Sequence, residues 1–177
     1  MQEETSKLPV IEATLVFLIR GYRVLLALGK PDKKIGANCL NGYGGKNKDG
    51  ESPIQCIMRE LPEESGGVTV SANDLRHVAN VDFHNEKKDG TRFICRVKVF
   101  TTHTWNGSPT SSTEMLQPAW YNIDHLPYHE MMVGDEDWVP QILSNHGKKF
   151  TVTVWYDGPG EKKLLKPTEV IEVKTLE

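Results

Sequence analysis

The sequence predicts one α/β domain in which a mixed β-sheet carries two helices. Segments rich in β-branched and aromatic residues recur along the chain, and two segments with helical patterns interrupt them. No internal repeat or linker divides the 177 residues, a length typical of one domain. We therefore expect a single domain over residues 1–177, with residues 1–9 as a flexible tail.

The strands are predicted from their apolar and β-branched composition. Residues 10–19 indicate a buried strand, residues 23–28 its hairpin partner, and the glycine-rich residues 29–47 a long loop. The later strands are predicted at residues 68–70, 76–84, 92–102, 118–123 and 150–156. A charged, β-branched tail segment follows residue 160.

The first helix is predicted from its capping residues. Ser52 and Gln55 form the pattern of a capping box, and Pro53 suits the first helical position. Gly66 is the expected stop of this helix. A second helix is predicted over residues 135–146.

Composition excludes several classes of function. There are 21 basic and 24 acidic residues, a net charge of −3, which disfavours a dedicated binder of nucleic-acid polymers. Three widely spaced cysteines indicate neither a disulfide framework nor a zinc ribbon. With no secretory signal and no apolar run that spans a bilayer, we expect a cytoplasmic protein without membrane contact.

Three glutamates lie at helical spacing near the end of the first predicted helix. Glu60, Glu63 and Glu64 are at positions i, i+3 and i+4, so their carboxylates share one helical face. Their mutual repulsion and the helix dipole both disfavour such a cluster, and a bound cation would relieve both penalties. Mg²⁺ is often bound by one or two carboxylates together with substrate phosphates. We also expect Arg59 to pair with Glu51 and pin the preceding loop to the helix.

The surrounding pattern resembles the Nudix box, G-x5-E-x7-R-E-U-x-E-E-x-G-U, where U is apolar. The matching residues are Gly45, Glu51, Arg59, Glu60, Leu61, Glu63, Glu64 and Gly66. Two departures are Gly67 at the last apolar position and Pro62 inside the helix, where a kink is expected to shift Glu63 and Glu64 relative to Glu60. The resemblance implies an α/β/α sandwich around a mixed sheet and Mg²⁺-dependent hydrolysis, with Mn²⁺ as a possible substitute.

The same resemblance implies roles for individual residues. As catalytic residues it implies Arg59, Glu60 and Glu63. As metal ligands it implies Gly44, Glu60, Glu63, Glu64 and a later loop residue, Glu114.

Outside the box, the segments at residues 40–46, 114–115 and 134–138 resemble motifs of the oxidised-purine nucleoside triphosphatase branch of this family. That branch releases a monophosphate and pyrophosphate and is often monomeric. The implied substrate-binding residues are Thr14, Asn41, Tyr43, Gly45, Lys46, Phe83, Met132, Asp135 and Trp138. Leu40, Met132 and Gly134 replace two tryptophans and an aspartate of that branch, so the resemblance implies the triphosphatase reaction more strongly than 8-oxoguanine specificity.

Two alternatives stay open at this point. One is a Nudix hydrolase of another nucleotide, such as a nucleotide sugar or a dinucleoside polyphosphate, and the other is a non-catalytic nucleotide-binding module. The loop lysines Lys30, Lys33, Lys34 and Lys46 can steer a triphosphate, but for Lys33 and Lys34 we favour a plain solvated loop.

Overall fold

The computed structural model describes residues 7–144 and 146–177. Its helices are α1 (Pro53–Ser65) and α2 (Asp135–Leu143). Its strands are β1 (Val10–Arg20), β2 (Arg23–Gly29), β3 (Leu40–Asn41), β4 (Arg76–Glu86), β5 (Arg92–Thr102), β6 (Met115–Asn122), β7 (Lys149–Trp155) and β8 (Glu169–Val173). Neither helix in these residues has the length and hydrophobicity needed to cross a membrane. Residues 1–6 of the predicted tail lie outside the described part of the chain.

The eight strands form one mixed sheet, in which hydrogen-bonded neighbours run β2-β1-β5-β4-β7-β8 and both β3 and β6 pair with β2. The pairs β1–β5 and β4–β7 are parallel, and the remaining pairs are antiparallel. The predicted mixed sheet is therefore confirmed. The tail segment after residue 160 contributes β8, which pairs with β7 at the edge of the sheet.

Strand β1 separates two hydrophobic cores because its side chains alternate between the faces of the sheet. Val16 and Leu18 pack in the core that contains Ile57 and Leu61 of α1. Phe17 and its odd-numbered neighbours in β1 pack in the other core, which contains most of the buried apolar residues of α2. The two helices thus cover opposite faces of the sheet, which confirms the α/β/α sandwich.

The predicted ends of α1 are confirmed. Gln55 N–H donates to Ser52 Oγ at 3.2 Å, and Ser52 N–H donates to Gln55 Oε1 at 2.9 Å, which completes the capping box. Gly66, at φ 74°, ends the helix in a left-handed conformation. The helix continues through Pro62 to Ser65.

Strand β1 and strand β2 separate beyond their shared turn, and residues 40–47 fill the gap between them. Their direct pairing is limited to the residues next to the turn. Further along, β3 pairs with Ala27 and Leu28 of β2. The residues that follow pair with β1: Val16 N–H donates to Tyr43 O at 2.7 Å and Thr14 N–H to Gly45 O at 2.9 Å. Part of the predicted 29–47 loop is therefore built into the sheet.

Other predicted boundaries are wrong for physical reasons. Residues 68–70 form no strand: only Thr69 makes a bridge, to Asn106, and the flanking valines are apolar because they are buried in the core beneath α1. Helix α2 ends at Leu143 rather than at residue 146. Strand β6 begins at Met115 rather than at residue 118, because its pairing with β2 extends across the irregular register between Leu26 and Leu28.

Replacement of Leu61 tests the packing of α1. Leu61 is fully buried, whereas Met58 on the same helix is 45% exposed. We expect Leu61→Ala to lower the free energy of unfolding by about 3 kcal/mol, because it leaves a cavity in the core. Met58→Ala, the matched control, should lower it by less than about 1 kcal/mol. Urea unfolding measures both; equal losses would contradict the packing of Leu61 described here.

Candidate active site

A cavity of about 500 Å³ lies between the sheet, α1, α2 and the loop after β2. This volume suits a small-molecule ligand. Twelve of the fifteen residues that the sequence singled out line it: Thr14, Asn41, Gly44, Gly45, Lys46, Glu60, Glu64, Phe83, Glu114, Met132, Asp135 and Trp138. Arg59, Glu63 and Tyr43 are not among the lining residues. The cavity has an acidic end near α1 and an aromatic end near α2.

The acidic end is built on the turn at Gly44 and Gly45, which runs against β1. A Cβ atom on Gly44 would overlap the carbonyl of Thr14, and one on Gly45 would lie 2.5 Å from the Glu60 carboxyl carbon. Glycine is required at Gly44, where the obstacle is the backbone of β1, whereas a side chain at Gly45 would displace the Glu60 carboxylate. Gly44 N–H also donates to Glu64 Oε2 at 2.9 Å. The turn therefore brings the carboxylates of Glu60 and Glu64 to one place.

Glu64 is a buried carboxylate, only 2% exposed. Burial raises its pKa above the usual range, although the ammonium of Lys33 and the N–H of Gly44 act in the opposite direction. Lys33 Nζ donates to Glu64 Oε1 and lies 3.6 Å from Glu114 Oε2. The expectation that Lys33 belongs to a plain solvated loop is therefore wrong: its side chain is 23% exposed and its ammonium lies between two carboxylates.

Arg59 connects the loop before α1 to the helix. Its Nε and Nη2 donate to the two carboxylate oxygens of Glu51 at 2.8 and 2.9 Å, which confirms the predicted pair. This pairing lowers the pKa of Glu51 to about 2. Arg59 Nη1 also donates to Glu60 Oε1, and Nη2 donates to Lys46 O at 3.2 Å. Arg59 thus orients Glu60 from outside the cavity.

Glu63 is the one glutamate of α1 that does not line the cavity. Glu60 and Glu64 are four residues apart and both line the cavity. Pro62, which lies between them in the helix, therefore does not displace either carboxylate from the cavity. Glu63 is exposed, because its position lies further round the helix, on the solvent side. The structure therefore brings together two of the three predicted carboxylates of α1, with Glu114 opposite them.

The acidic end offers the donor types that a hard divalent cation takes. Within residues 7–144 and 146–177, no three acidic, histidine or cysteine side chains converge into a closed ligand set. Mg²⁺ nevertheless needs only one or two carboxylates when water and substrate phosphates complete its shell. Glu64 and Glu114 already hold one cation, the ammonium of Lys33, between them. The residues therefore fit a divalent metal ion that a substrate helps to bind.

The aromatic end is built around Asp135 at the start of α2. Asp135 is 2% exposed, and Met132 N–H donates to its Oδ2 at 3.3 Å. Burial raises its pKa to about 7, against the opposing effects of the Met132 N–H and of Trp138. The next two acidic residues, Glu136 and Asp137, are exposed and do not line the cavity. Asp135 is thus the carboxyl group that this end of α2 presents to a ligand.

Aromatic rings form the wall beside Asp135. Phe83 lies edge-on to Trp138, with ring centroids 6.2 Å apart, and stacks on Tyr156 at 6.3 Å. The hydroxyl of Tyr156 donates to the carbonyl of Val133 at 3.1 Å, which ties the end of β7 to the loop before α2. The wall presents flat apolar surface, which suits a planar ligand.

The remaining predicted residues differ in their placement. Asn41 lines the cavity, and its Oδ1 accepts from Gly42 N–H at 2.8 Å. Thr14 also lines the cavity, with its hydroxyl donating to Cys56 Sγ at 3.2 Å. Tyr43 is fully buried in the core beneath α1, because alternation along the segment that pairs with β1 turns its side chain to that face.

Several cavity residues were not predicted as site residues, and three of them have polar side chains close to the predicted ones: Asn85, Tyr156 and Lys33. Asn85 is 6% exposed and lies two residues after Phe83 in β4, so the period of two in a strand would have found it. Tyr156 reaches the cavity through the parallel pairing of β4 with β7, and no local pattern indicates that pairing. Lys33 reaches it through the course of the loop after β2.

Comparisons with known proteins identify the family of this chain. The family model described as NUDIX domain matches residues 10–142. The chain is 36% identical over 139 residues to an oxidized purine nucleoside triphosphate hydrolase of Danio rerio, across 78% of this chain and 81% of that protein. It is 35% identical over 137 residues to the protein of the same name from Mus musculus, across 77% and 81%.

A crystal structure of a MutT protein from Bacillus halodurans has a similar fold. The TM-score is 0.71 at 19% identity, covering 90% of this chain and 97% of that one. The matched family model covers most of the chain and includes the glycine turn, α1 and the start of α2, from which the cavity is built. The chain therefore belongs to the Nudix family of hydrolases.

Proposed function

We propose that this chain hydrolyses oxidised purine nucleoside triphosphates, such as 8-oxo-dGTP, to the monophosphate and pyrophosphate, and so removes damaged nucleotides from the precursor pool. The observation that carries the proposal is a single cavity with carboxylates at one end and an aromatic wall beside a buried aspartate at the other. A triphosphate with its metal ion suits the first end, and a purine suits the second. The names of the relatives in Danio rerio and Mus musculus support the same substrate class.

At the acidic end we assign metal binding to Glu64 and Glu114, with a backbone carbonyl at Gly44, and we assign Glu60, which was predicted both as a ligand and as a catalytic residue, to catalysis. Mg²⁺ is the proposed ion, with Mn²⁺ as a substitute, because these are hard oxygen ligands. When bound, such an ion neutralises charge that develops on phosphate oxygens and lowers the pKa of bound water. Glu63 contributes less in this proposal, because its side chain is exposed outside the cavity.

We assign Glu60 as the group that takes the proton from the attacking water. Its carboxylate lies on the cavity wall against Gly45, and Arg59 donates a hydrogen bond to it from outside. This contact restricts the carboxylate to one orientation, as general-base catalysis requires. Arg59 is therefore a positioning residue, and Glu51 fixes Arg59 in turn through two hydrogen bonds.

At the aromatic end we assign recognition of the purine to Asp135 and Asn41, with Trp138 and Phe83 against the ring. A carboxyl group with a pKa near 7 is present in both protonation states at neutral pH. It can therefore donate a hydrogen bond to one base edge and accept one from another. The Asn41 amide has both a donor and an acceptor as well.

The proposal includes the setting of the reaction. We propose a single domain, because β7 and β8 lie beyond the matched residues 10–142 and still extend the same sheet. We propose a monomer in the cytoplasm that acts on free nucleotides, in keeping with three unpaired cysteines and a cavity of small-molecule size.

A substrate panel tests the function directly. With Mg²⁺ present, we expect fast release of monophosphate and pyrophosphate from 8-oxo-dGTP or another modified purine triphosphate, and slow turnover of dGTP, a nucleotide sugar and a dinucleoside polyphosphate. The two products are quantified separately by chromatography. Turnover confined to the last two substrates would contradict the purine assignment, and no turnover with either Mg²⁺ or Mn²⁺ would favour a non-catalytic module.

Three glutamate-to-glutamine variants test the acidic end. Each removes one negative charge and keeps the shape of the side chain. We expect Glu60→Gln and Glu64→Gln to lower kcat/KM by about 100-fold or more, because both carboxylates face the cavity. Glu63→Gln is the matched comparison, with an expected loss of about tenfold or less. A loss for Glu63→Gln as large as the other two would contradict the assignment of the cavity-lining pair.

Asp135→Asn tests the protonation of the buried carboxyl. Folding raises the pKa of Asp135 from 3.8 to about 7, so between these values the folded state holds a proton that the unfolded state has lost. The wild-type free energy of unfolding should therefore fall relative to that of Asp135→Asn, by about 2 kcal/mol between pH 5 and pH 7.

Urea unfolding at several pH values measures this difference. The exposed Asp137 lies on the same helix, and Asp137→Asn is the control, which should show no such divergence from wild type. Parallel pH profiles for wild type and Asp135→Asn would show that the Asp135 carboxyl ionises normally in the folded protein.

A further inference from the structure

Lys33 supplies a positive charge to the acidic end of the cavity. Its ammonium donates to Glu64 Oε1, lies 3.6 Å from Glu114 Oε2 and lies 3.5 Å from Met115 Sδ. The Glu64 side chain is 3% exposed, so the carboxylate gains little from solvent and depends on partners within the protein. The ammonium lies where a cation shared by Glu64 and Glu114 would be bound.

The backbone that carries Lys33 is held in place independently of this contact. Asn38 N–H donates to Gly29 O and Gly29 N–H donates to Cys39 O, both at 2.9 Å, which closes the base of the loop. Lys30 N–H donates to Glu114 O at 3.0 Å, which fixes the loop to the segment before β6. The lysine side chain has four rotatable carbon–carbon bonds, so its ammonium can leave Glu64 while the loop keeps its course.

We propose that Lys33 is the resident counter-cation of Glu64, and that a divalent metal ion binds only when it displaces the Lys33 ammonium. Two cations cannot share the same carboxylate oxygen without strong repulsion in a poorly solvated site. Lys33 therefore holds the Glu64 carboxylate in one orientation before the metal arrives, and it weakens metal binding. It acts as a positioning residue for the metal site. This inference rests on the proposed metal-dependent function, but its test needs no turnover.

The test measures Mn²⁺ binding without nucleotide, by the electron paramagnetic resonance signal of free Mn²⁺ and by calorimetry. Lys33→Met keeps the apolar stem and removes the charge, and Lys33→Gln is a second neutral variant. We expect both to bind Mn²⁺ about tenfold more tightly than wild type, because no ammonium competes for Glu64. Both should also melt at a lower temperature without metal and show a larger rise in Tm with Mn²⁺.

Two control variants distinguish competition for Glu64 from a long-range effect of the loop's charge on Mn²⁺ affinity. Lys34→Met removes one positive charge from the same loop at an exposed position, and its Mn²⁺ affinity should stay within about twofold of wild type. Lys33→Arg keeps a cation at the site and should bind Mn²⁺ about as weakly as wild type. An equal gain in Mn²⁺ affinity for Lys34→Met and Lys33→Met would overturn the proposal, because the gain would then come from long-range electrostatics.

The remaining outcomes distinguish this inference from the proposed function. Unchanged Mn²⁺ affinity in both neutral Lys33 variants, with clear binding by wild type, would overturn the role of Lys33 and leave the metal-dependent function intact. Weaker Mn²⁺ binding by both variants would also overturn it, since Lys33 would then assist the metal. Absence of Mn²⁺ binding in every variant and in wild type would contradict the metal site itself.

Discussion

The separation of β1 from β2 is the constraint on which the acidic end of the site depends. Once the two strands diverge, residues 40–47 take up the hydrogen bonds that each strand would otherwise leave unmade. The Gly44–Gly45 turn is thereby fixed against Thr14, within reach of α1. Helix α1 packs on the face of β1 that carries Val16 and Leu18. The carboxylates of Glu60 and Glu64 therefore meet a turn whose position is determined by the sheet.

A second layer of contacts holds these carboxylates. Arg59 donates to Glu51, to Glu60 and to the carbonyl of Lys46, so one guanidinium joins the loop before α1 to the helix itself. Carboxylates removed from solvent are destabilising without partners, and here the partly buried Glu60 has Arg59 as a donor and the buried Glu64 has Gly44 and Lys33. The strongly acidic helix end is thus compatible with a stable fold even before any metal ion binds.

The sequence correctly predicted the features that depend on residues close together in the chain. The Ser52 capping box, the Gly66 stop and the Glu51–Arg59 pair depend on residues close in sequence, and all three are confirmed. The placements of Lys33, Tyr43 and Glu63 were harder to foresee. Lys33 depends on the course of a loop, Tyr43 on pairing with β1, and Glu63 on which face of α1 is solvated. Each of these follows from contacts between distant segments, which spacing alone does not specify.

The two ends of the cavity come from different parts of the chain. The glycine turn and α1 form the acidic end, whereas α2, β4 and the end of β7 form the aromatic end, where Tyr156 anchors the loop at Val133. Substitutions in the second group do not touch the Arg59 and Lys33 contacts that organise the first. Under the proposed assignment, base preference can therefore diverge during evolution while the residues that break the bond are inherited unchanged, so a lineage would acquire a new nucleotide substrate through a few changes around Asp135.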